Sequence, residues 1–414
     1  MPYSPQDRHP PADIRFGEFV ALMALLMALT ALSIDIMLVA LPQIAADYAV
    51  DNPNHRQLVV TCYMLGFAAS QPFHGPLSDR FGRKPVLTAG LVVFAIGTVA
   101  AMLAPSFELH LAGRALQGIG AAAPRIVAVA VVRDRFAGRD MARVMSFVMT
   151  IFIIVPVLAP SIGEVVLWTG HWSWIFGFLL LAAAVALVWS SLRLKETRPA
   201  GDRLPLSAAA LGGAYATILT SRRSFGYTVA SGFMFGALMS YVTSAQQIFV
   251  DVYGLGDMFP IVFGAIAAAM AVASITNARL VGRLGMRRVS HTAMLGYVAA
   301  CVALAVAGFP PHLPLPYFCA FLAATFFAFG LMVPNFNAMA MEPLGHIAGV
   351  GSSFIGFYTT ATGAVLGWII GQSFDGTVRP ITIGFSCFGI ATLLSVLVTE
   401  RGQLLKAREQ QPRP

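Results

Sequence analysis

The sequence predicts an all-α integral membrane protein, with twelve membrane-crossing helices arranged as two pseudo-symmetric six-helix bundles. Three observations predict it. Of 414 residues, 57% are hydrophobic and only 11% charged, whereas soluble domains carry about 25% charged residues. The apolar residues gather into runs of roughly 20, the length that crosses a bilayer as a helix. The longest polar segment falls near the middle of the chain and leaves six such runs on either side. The composition alone excludes an ordinary soluble enzyme, a nucleic-acid binder and a disordered scaffold.

In order, residues 1–16 form a short proline-rich cytoplasmic tail, and the apolar run behind it is too long for the core of a cleavable signal. The expected spans are 17–44, 56–76, 85–104, 109–132, 142–167 and 172–192, which make a first bundle over 17–192. A cytoplasmic linker covers 193–224. The second bundle, over 225–399, takes spans 225–250, 259–278, 289–309, 315–341, 347–372 and 380–399, and 400–414 is a second tail. With both termini inside, the inner segments hold 23 of the 27 basic residues, the asymmetry that the positive-inside rule expects. The net charge of +8 then reports topology and no nucleic-acid partner. Trp168, Trp172 and Trp174 flank an outer loop, where an aromatic belt is expected. Cys62, Cys301, Cys319 and Cys387 each fall in an apolar run and read as small buried hydrophobes. Two weak echoes support duplication: LSDRFGRK (77–84) against LVGRLGMR (280–287), and AAAPRI (121–126) against LMVPNF (331–336).

Ionisable residues inside the spans are few. Among 19 acids, only Asp35 and Glu164 lie well within them, with Glu18 near a helix start; among 27 bases, only Arg114 and Arg125 do. Such a residue costs roughly 3 kcal/mol at the bilayer centre and is a functional candidate by default. Asp35 stands about 27 Å along the first span at 1.5 Å per residue. Desolvation and an approaching cation would pull its proton affinity in opposite directions, as proton exchange requires. The alternative is a packing acid permanently paired with an arginine. Arg114 could pair with Asp35 or substrate, or tie polar groups together. Arg125 reads as a structural part of the inner gate or as a substrate contact. Glu164 is a solvated rim residue or a second proton or cation site. Tyr63, Tyr241, Gln246, Gln247, Asn335, Asn337, Phe357 and Tyr358 line a cavity or serve as helix–helix glue. Packing alone explains the Gly363, Gly367 and Gly371 stripe. No phosphate-cradling G-x-x-x-x-G-K-[ST] loop and no metal-ligand spacing occur. No nucleophile–base set is apparent either. The sequence therefore predicts no cofactor, no metal and no enzyme, and an ion gradient as the source of work.

Several stretches carry a family resemblance. The loop after the second span, Gly75-Pro-Leu-Ser-Asp79-Arg80-Phe-Gly82-Arg83-Lys84, resembles motif A of the major facilitator superfamily in full. Gly82 permits a tight turn between helices, and Asp79 can accept bonds from helix N-terminal amides of the other half. Arg80, Arg83 and Lys84 favour the inner face. Arg114-Ala-Leu-Gln117-Gly118-Ile-Gly120 resembles motif B. Pro156-Val-Leu-Ala-Pro160-Ser-Ile-Gly163 resembles the antiporter motif C, departing from it at Ala159 and Glu164. Ser33-Ile-Asp35, Val132-Arg133-Asp134, Met145-Ser-Phe-Val-Met149, Leu194-Lys195-Glu196-Thr197, Asn335-Phe-Asn337 and His346-Ile-Ala-Gly349 are similar to the Bcr/CflA branch of drug:proton antiporters. Membership implies proton-driven efflux of small amphiphilic compounds by alternating access, from a multi-pass protein of the bacterial inner membrane. Both termini are expected in the cytoplasm, and the expected partners are lipid, protons and substrate, with the protein a monomer. Asp79 with Arg83 would latch the inner gate. The alternatives are a proton-coupled transporter of a metabolite such as a sugar or nucleoside, and a membrane sensor on the same fold.

Overall fold

Apolar runs without backbone acceptors in lipid must satisfy their own amides, and helices do so. The computed structural model describes residues 14–203 and 208–405, and among these there is no strand. The expected tails therefore lie mostly outside the described residues, with Arg8, Lys406, Arg408 and Arg413 among them. The side chains of Arg139 and His346 also lie outside. The chain divides between Ala208 and Ala209 into two compact units.

The first unit holds six long helices: α1 (Phe16–Asp35), α3 (Leu58–Phe81), α4 (Arg83–Met102), α5 (Phe107–Arg135), α6 (Gly138–Trp168) and α7 (Ser173–Arg193), with a short α2 (Leu41–Asp47) after α1. The first span, expected to run unbroken over 17–44, ends at Asp35. From there the amides of Met37, Leu38 and Ala40 reach back only three residues, to Ile34, Asp35 and Met37. Pro42 in the first turn of α2 has no N–H to carry a helix through, which accounts for the interruption. At the start of α1, Glu18 is bound by Arg193 at 2.6 Å and by Trp189 at 3.2 Å.

Helix α5 is the spine of this unit. A Cβ on Gly66 would lie 2.1 Å from the Ala115 carbonyl, and one on Gly118 would lie 2.0 Å from that of Tyr63. The motif B glycine therefore lets α3 and α5 touch backbone to backbone. Among the described residues, eleven helices are long and apolar enough to cross a membrane, against the twelve expected. The remaining long helix is α3, whose Ser70 and Gln71 are buried within the unit. Ser70 donates to the Phe67 and Ile119 carbonyls at 3.1 and 3.2 Å.

The second unit contains α9 (Arg222–Gln246), α10 (Phe259–Leu284), α11 (Met286–Val306), α12 (Leu315–Met341), α13 (Ala348–Gln372) and α14 (Arg379–Thr399). Ahead of them, the expected polar linker contains a helix, α8 (Ala208–Thr220). At the far end of α9 the coil widens into a π-helical turn over Gln247–Val252. The packing reading of the α13 stripe agrees with the structure: a Cβ on Gly363 or Gly367 would collide with Phe235 or Met239 of α9, at 2.4 and 2.8 Å.

Two expectations about composition are corrected. Trp168 and Trp174 are exposed, but Trp172 is 4% exposed and donates to Asp47 at 2.6 Å, so it is a packing residue. Of the four cysteines, all free, only Cys301 is buried, and Cys387 is exposed. On an apolar helix a thiol is compatible with lipid and does not need the core.

Candidate functional site

Asp35 occupies the point where α1 gives way to tight turns. Its side chain is 5% exposed, and among the described residues its carboxyl has no hydrogen bond and no ion pair. The reading of Asp35 as an acid permanently paired with arginine does not describe this geometry. Motif C packs against the same break: a Cβ on Gly163 would lie 2.7 Å from the Ile36 carbonyl and 2.8 Å from Val39 Cγ2. Glu164, the next residue, is half-buried on α6.

Arg114 is fully buried, and its guanidinium is satisfied by neutral acceptors. Nε donates to the Val59 carbonyl at 3.1 Å, Nη2 to the Ser33 carbonyl at 3.0 Å, and Nη1 to Gln117 Oε1. Gln117 in turn donates to Thr98 at 2.9 Å. The ring of Tyr63 lies 4.7 Å below the guanidinium, and the Tyr63 hydroxyl donates to the Thr30 carbonyl at 3.3 Å. Here the guanidinium joins polar groups of three helices. It binds α3 and α5 to the last turn of α1, two residues from Asp35. Arg125, three turns further along α5, lies 5.5 Å over the Phe67 ring.

A second cluster forms at the α3–α4 turn. Gly82 has φ +104°, a conformation open to glycine at little cost. Arg83, 1% exposed, donates to Asp134 and pairs with Asp79, both at 2.8 Å, and donates to Ser78 at 2.6 Å. Arg198 takes the same Asp79 oxygen at 3.3 Å. Asp79 is thus occupied by two arginines of its own unit. The carboxylate seated on helix N-terminal amides is Glu196, which accepts from the backbone N–H of Arg83 at 2.9 Å and of Lys84 at 3.1 Å. Thr197 donates to Asp134 at 3.0 Å, and Lys84 Nζ donates to the Ser191 carbonyl at 2.7 Å. Arg80 is exposed. Asp134, Glu196 and Thr197 entered the sequence reading only as marks of resemblance, and no local signal joins them to motif A.

Where α2 meets the α6–α7 loop, His171 and Trp172 reach Asp47 at 2.5 and 2.6 Å. The Trp172 bond, with that of His171, holds the Asp47 carboxyl below the usual carboxylate range. Burial, with Asp47 beside it, pushes the Tyr48 hydroxyl up.

In the second unit the expected cavity residues divide. Tyr241 is buried in an aromatic core, 5.1 Å from Phe263 and 4.8 Å from Phe326 between ring centres. Asn335 donates to Asn277 at 2.7 Å. Both make contacts between helices of this unit. Gln246 is 3% exposed, and among the described residues its Oε1 has no hydrogen-bond partner, which leaves an acceptor open at the start of the π-helical turn. Phe357 and Tyr358 are half-buried, and Tyr358 packs against Phe225 and Phe354.

Comparison with known proteins places this geometry. The family profile described as Major Facilitator Superfamily matches residues 23–372. A bicyclomycin resistance protein homolog of Haemophilus influenzae is 29% identical over 400 residues, 94% of this chain and 98% of that protein. The multidrug resistance protein MdtL of Escherichia coli O81 is 29% identical over 382 residues, covering 91% and 94%. Among solved structures, a D-xylose–proton symporter superposes with TM-score 0.74 at 14% identity, covering 94% of this chain and 97% of that one. The human organic anion transporter MFSD10 superposes with TM-score 0.69 at 18% identity, covering 94% and 100%. At those identities the structures speak for the fold alone.

Proposed function

This chain belongs to the Major Facilitator Superfamily, and from that premise we propose that it exports small amphiphilic compounds in exchange for protons, with Asp35 as the exchanging acid. The observation that carries the reading is the carboxyl of Asp35, buried and without a hydrogen bond or ion pair among the described residues. A carboxyl without a fixed counter-ion can be held neutral by its surroundings and ionise when a cationic substrate or water arrives. Proton and substrate then compete for one site. The resistance relatives support export of drugs, and Glu164, on the helix that packs against the break, is a second place for a proton. One charge crossing 100 mV supplies about 2.3 kcal/mol, or nearly two decades of substrate gradient at roughly 1.4 kcal/mol per decade. Alternating access would expose the site to each side of a bacterial inner membrane in turn. The Asp79–Arg83 cluster would hold the inner gate, and the protein would work as a single chain with both termini in the cytoplasm.

The test is a drug-susceptibility panel in a host stripped of its own exporters, together with everted vesicles. Wild type should raise tolerance and accumulate substrate in everted vesicles when a proton gradient is imposed. Asp35→Asn, which keeps the shape and removes the titration, should do neither at equal membrane abundance. Uphill extrusion by Asp35→Asn, or extrusion indifferent to collapse of the pH gradient, defeats the proposal.

A further inference from the structure

A buried hydrogen-bond chain in the second unit, remote in sequence from the motifs above, fastens the segment that follows α14. Glu400, at the end of α14, has a side chain 7% exposed and pairs with Arg287 at 3.2 Å. Its Oε1 accepts the hydroxyl of Tyr227 at 2.7 Å. Tyr227 has one proton and gives it to Glu400, so the contact between its oxygen and His291 Nε2, at 3.2 Å, needs the proton on Nε2. Nδ1 is then an acceptor, and it takes the backbone N–H of Leu405 at 3.3 Å. The network thereby assigns His291, fully buried, as the neutral Nε2–H tautomer.

The segment held in this way is not relaxed. Arg401 and Leu405 have φ of +52° and +65°, left-handed values that non-glycine residues keep only when their surroundings impose them. The remaining backbone bonds of the segment are local: Arg401 to Val398, Gly402 to Leu397, Gln403 to Glu400 and Leu404 to Gly402. Among the described residues, the Leu405–His291 bond is the only hydrogen bond from 401–405 to another helix.

We propose that His291 is a proton-binding site that works as a latch: neutral, it straps residues 401–405 onto α11, and protonated, it lets them go. A proton arriving on Nδ1 turns the acceptor into a donor facing the Leu405 N–H, so the bond is lost and two donors oppose each other. The strained turn then relaxes. The groups that face the ring are Glu400 from the end of α14, Tyr227 from α9 and Arg287 from α11; Arg223, also on α9, acts on Tyr227 and pairs with Glu342 at 3.8 Å, and Phe336 of α12 lies 5.4 Å from the Tyr227 ring. Nothing in the latch depends on Asp35 or on what is transported.

The test places a nitroxide label at Gln403→Cys, in the full chain with its four native cysteines replaced, reconstituted in lipid nanodiscs. Label mobility is followed from about pH 8 down to about pH 4, a range wide enough for a buried imidazole. The expected result is a one-proton transition from a slow to a fast label as pH falls, with at least about a threefold drop in rotational correlation time. His291→Asn keeps an acceptor near Nδ1 but cannot titrate, and should hold the label slow throughout. His291→Ala should leave it fast throughout. A wild-type label indifferent to pH overturns the latch. So does a transition that survives in His291→Asn, which would assign the proton to another group.

Discussion

Methionine in place of Arg83 removes the cation that lies between Asp79 and Asp134, both 2.8 Å from it, and keeps most of its volume. Breaking a buried ion pair by deleting one partner costs about 3–5 kcal/mol, because the other charge stays behind. Here the acids are 25% and 15% exposed at the side chain, and Arg198 still holds Asp79. Water and the second arginine therefore soften the penalty to roughly 2–4 kcal/mol. For a unit of this size, each kcal/mol moves the midpoint by about 2–4 °C, so the melting temperature should fall by roughly 5–15 °C. Thermal unfolding in detergent, followed by tryptophan fluorescence, measures it. If stranded charge is the cause, Asp134→Asn in the Arg83→Met background should recover much of the loss, although the same change alone destabilises. Arg83→Lys should fall between, since an ammonium cannot reach both carboxylates and Ser78 with fixed fork geometry. A loss below about 1 °C, or a double variant no better than the single one, refutes the argument that this cluster holds charge rather than mere volume.

Three further outcomes follow from the same structure. Gly118→Ala puts a methyl 2.0 Å from the Tyr63 carbonyl; overpacking of this kind costs about 1–3 kcal/mol or more, and size-exclusion profiles should show loss of monodisperse protein. Glu196→Gln keeps an acceptor for only one of the Arg83 and Lys84 amides, which bind different carboxylate oxygens, and turns an NH2 donor on the other; it should lose about 0.3–1 kcal/mol for the charge at the α4 terminus and about 0.5–1.5 kcal/mol for the missing bond, and Glu196→Ala should cost more in the same melt. Asp47→Asn should cost no more than about 1 kcal/mol at neutral pH, because the pair is exposed. The sign follows from a carboxyl held below its usual range. Its contribution is complete above the unfolded value of about 3.9 and disappears as pH falls through the lower folded one. Wild type and variant should therefore converge in melts taken under strongly acidic conditions and differ at pH above about 5.

How much of this was legible in the sequence depended on range. Motif A could be read because its turn, its glycine and its Asp79–Arg83 pair lie within one turn of chain. The cap that Glu196 places on α4 comes from 113 residues away, and no periodicity encodes a pairing at that separation. The interruption after Asp35 was missed because hydropathy does not distinguish a helix from an apolar turn; Pro42 was the available signal. The helix at Ala208–Thr220 was also available. Its run is apolar, but 13 residues rise only about 20 Å, too short to cross a bilayer. Burial of Ser70 and Gln71 made the opposite error possible, since a helix that turns polar groups inward loses mean hydropathy without leaving the bundle.

The arrangement around Arg114 bears on why Asp35 is left alone. A buried guanidinium must be hydrogen-bonded to be tolerated, and the cheapest partner in a helical bundle would be the nearby acid. Instead its donors go to the carbonyls of Ser33 and Val59 and to Gln117, none of which titrates in the accessible range. Had Arg114 closed on Asp35, the acid would be fixed as a carboxylate and could release no proton at physiological pH. Neutral acceptors keep the cation buried while leaving the acid's protonation free to follow its surroundings. Replacing Gln117 by leucine tests this directly. It strips one acceptor from Arg114 and should turn the guanidinium toward the acid. If Asp35 exchanges protons as proposed, transport should then weaken more than stability does. Equal losses in both, or transport left intact, would mean that Gln117 does not keep the two charges apart.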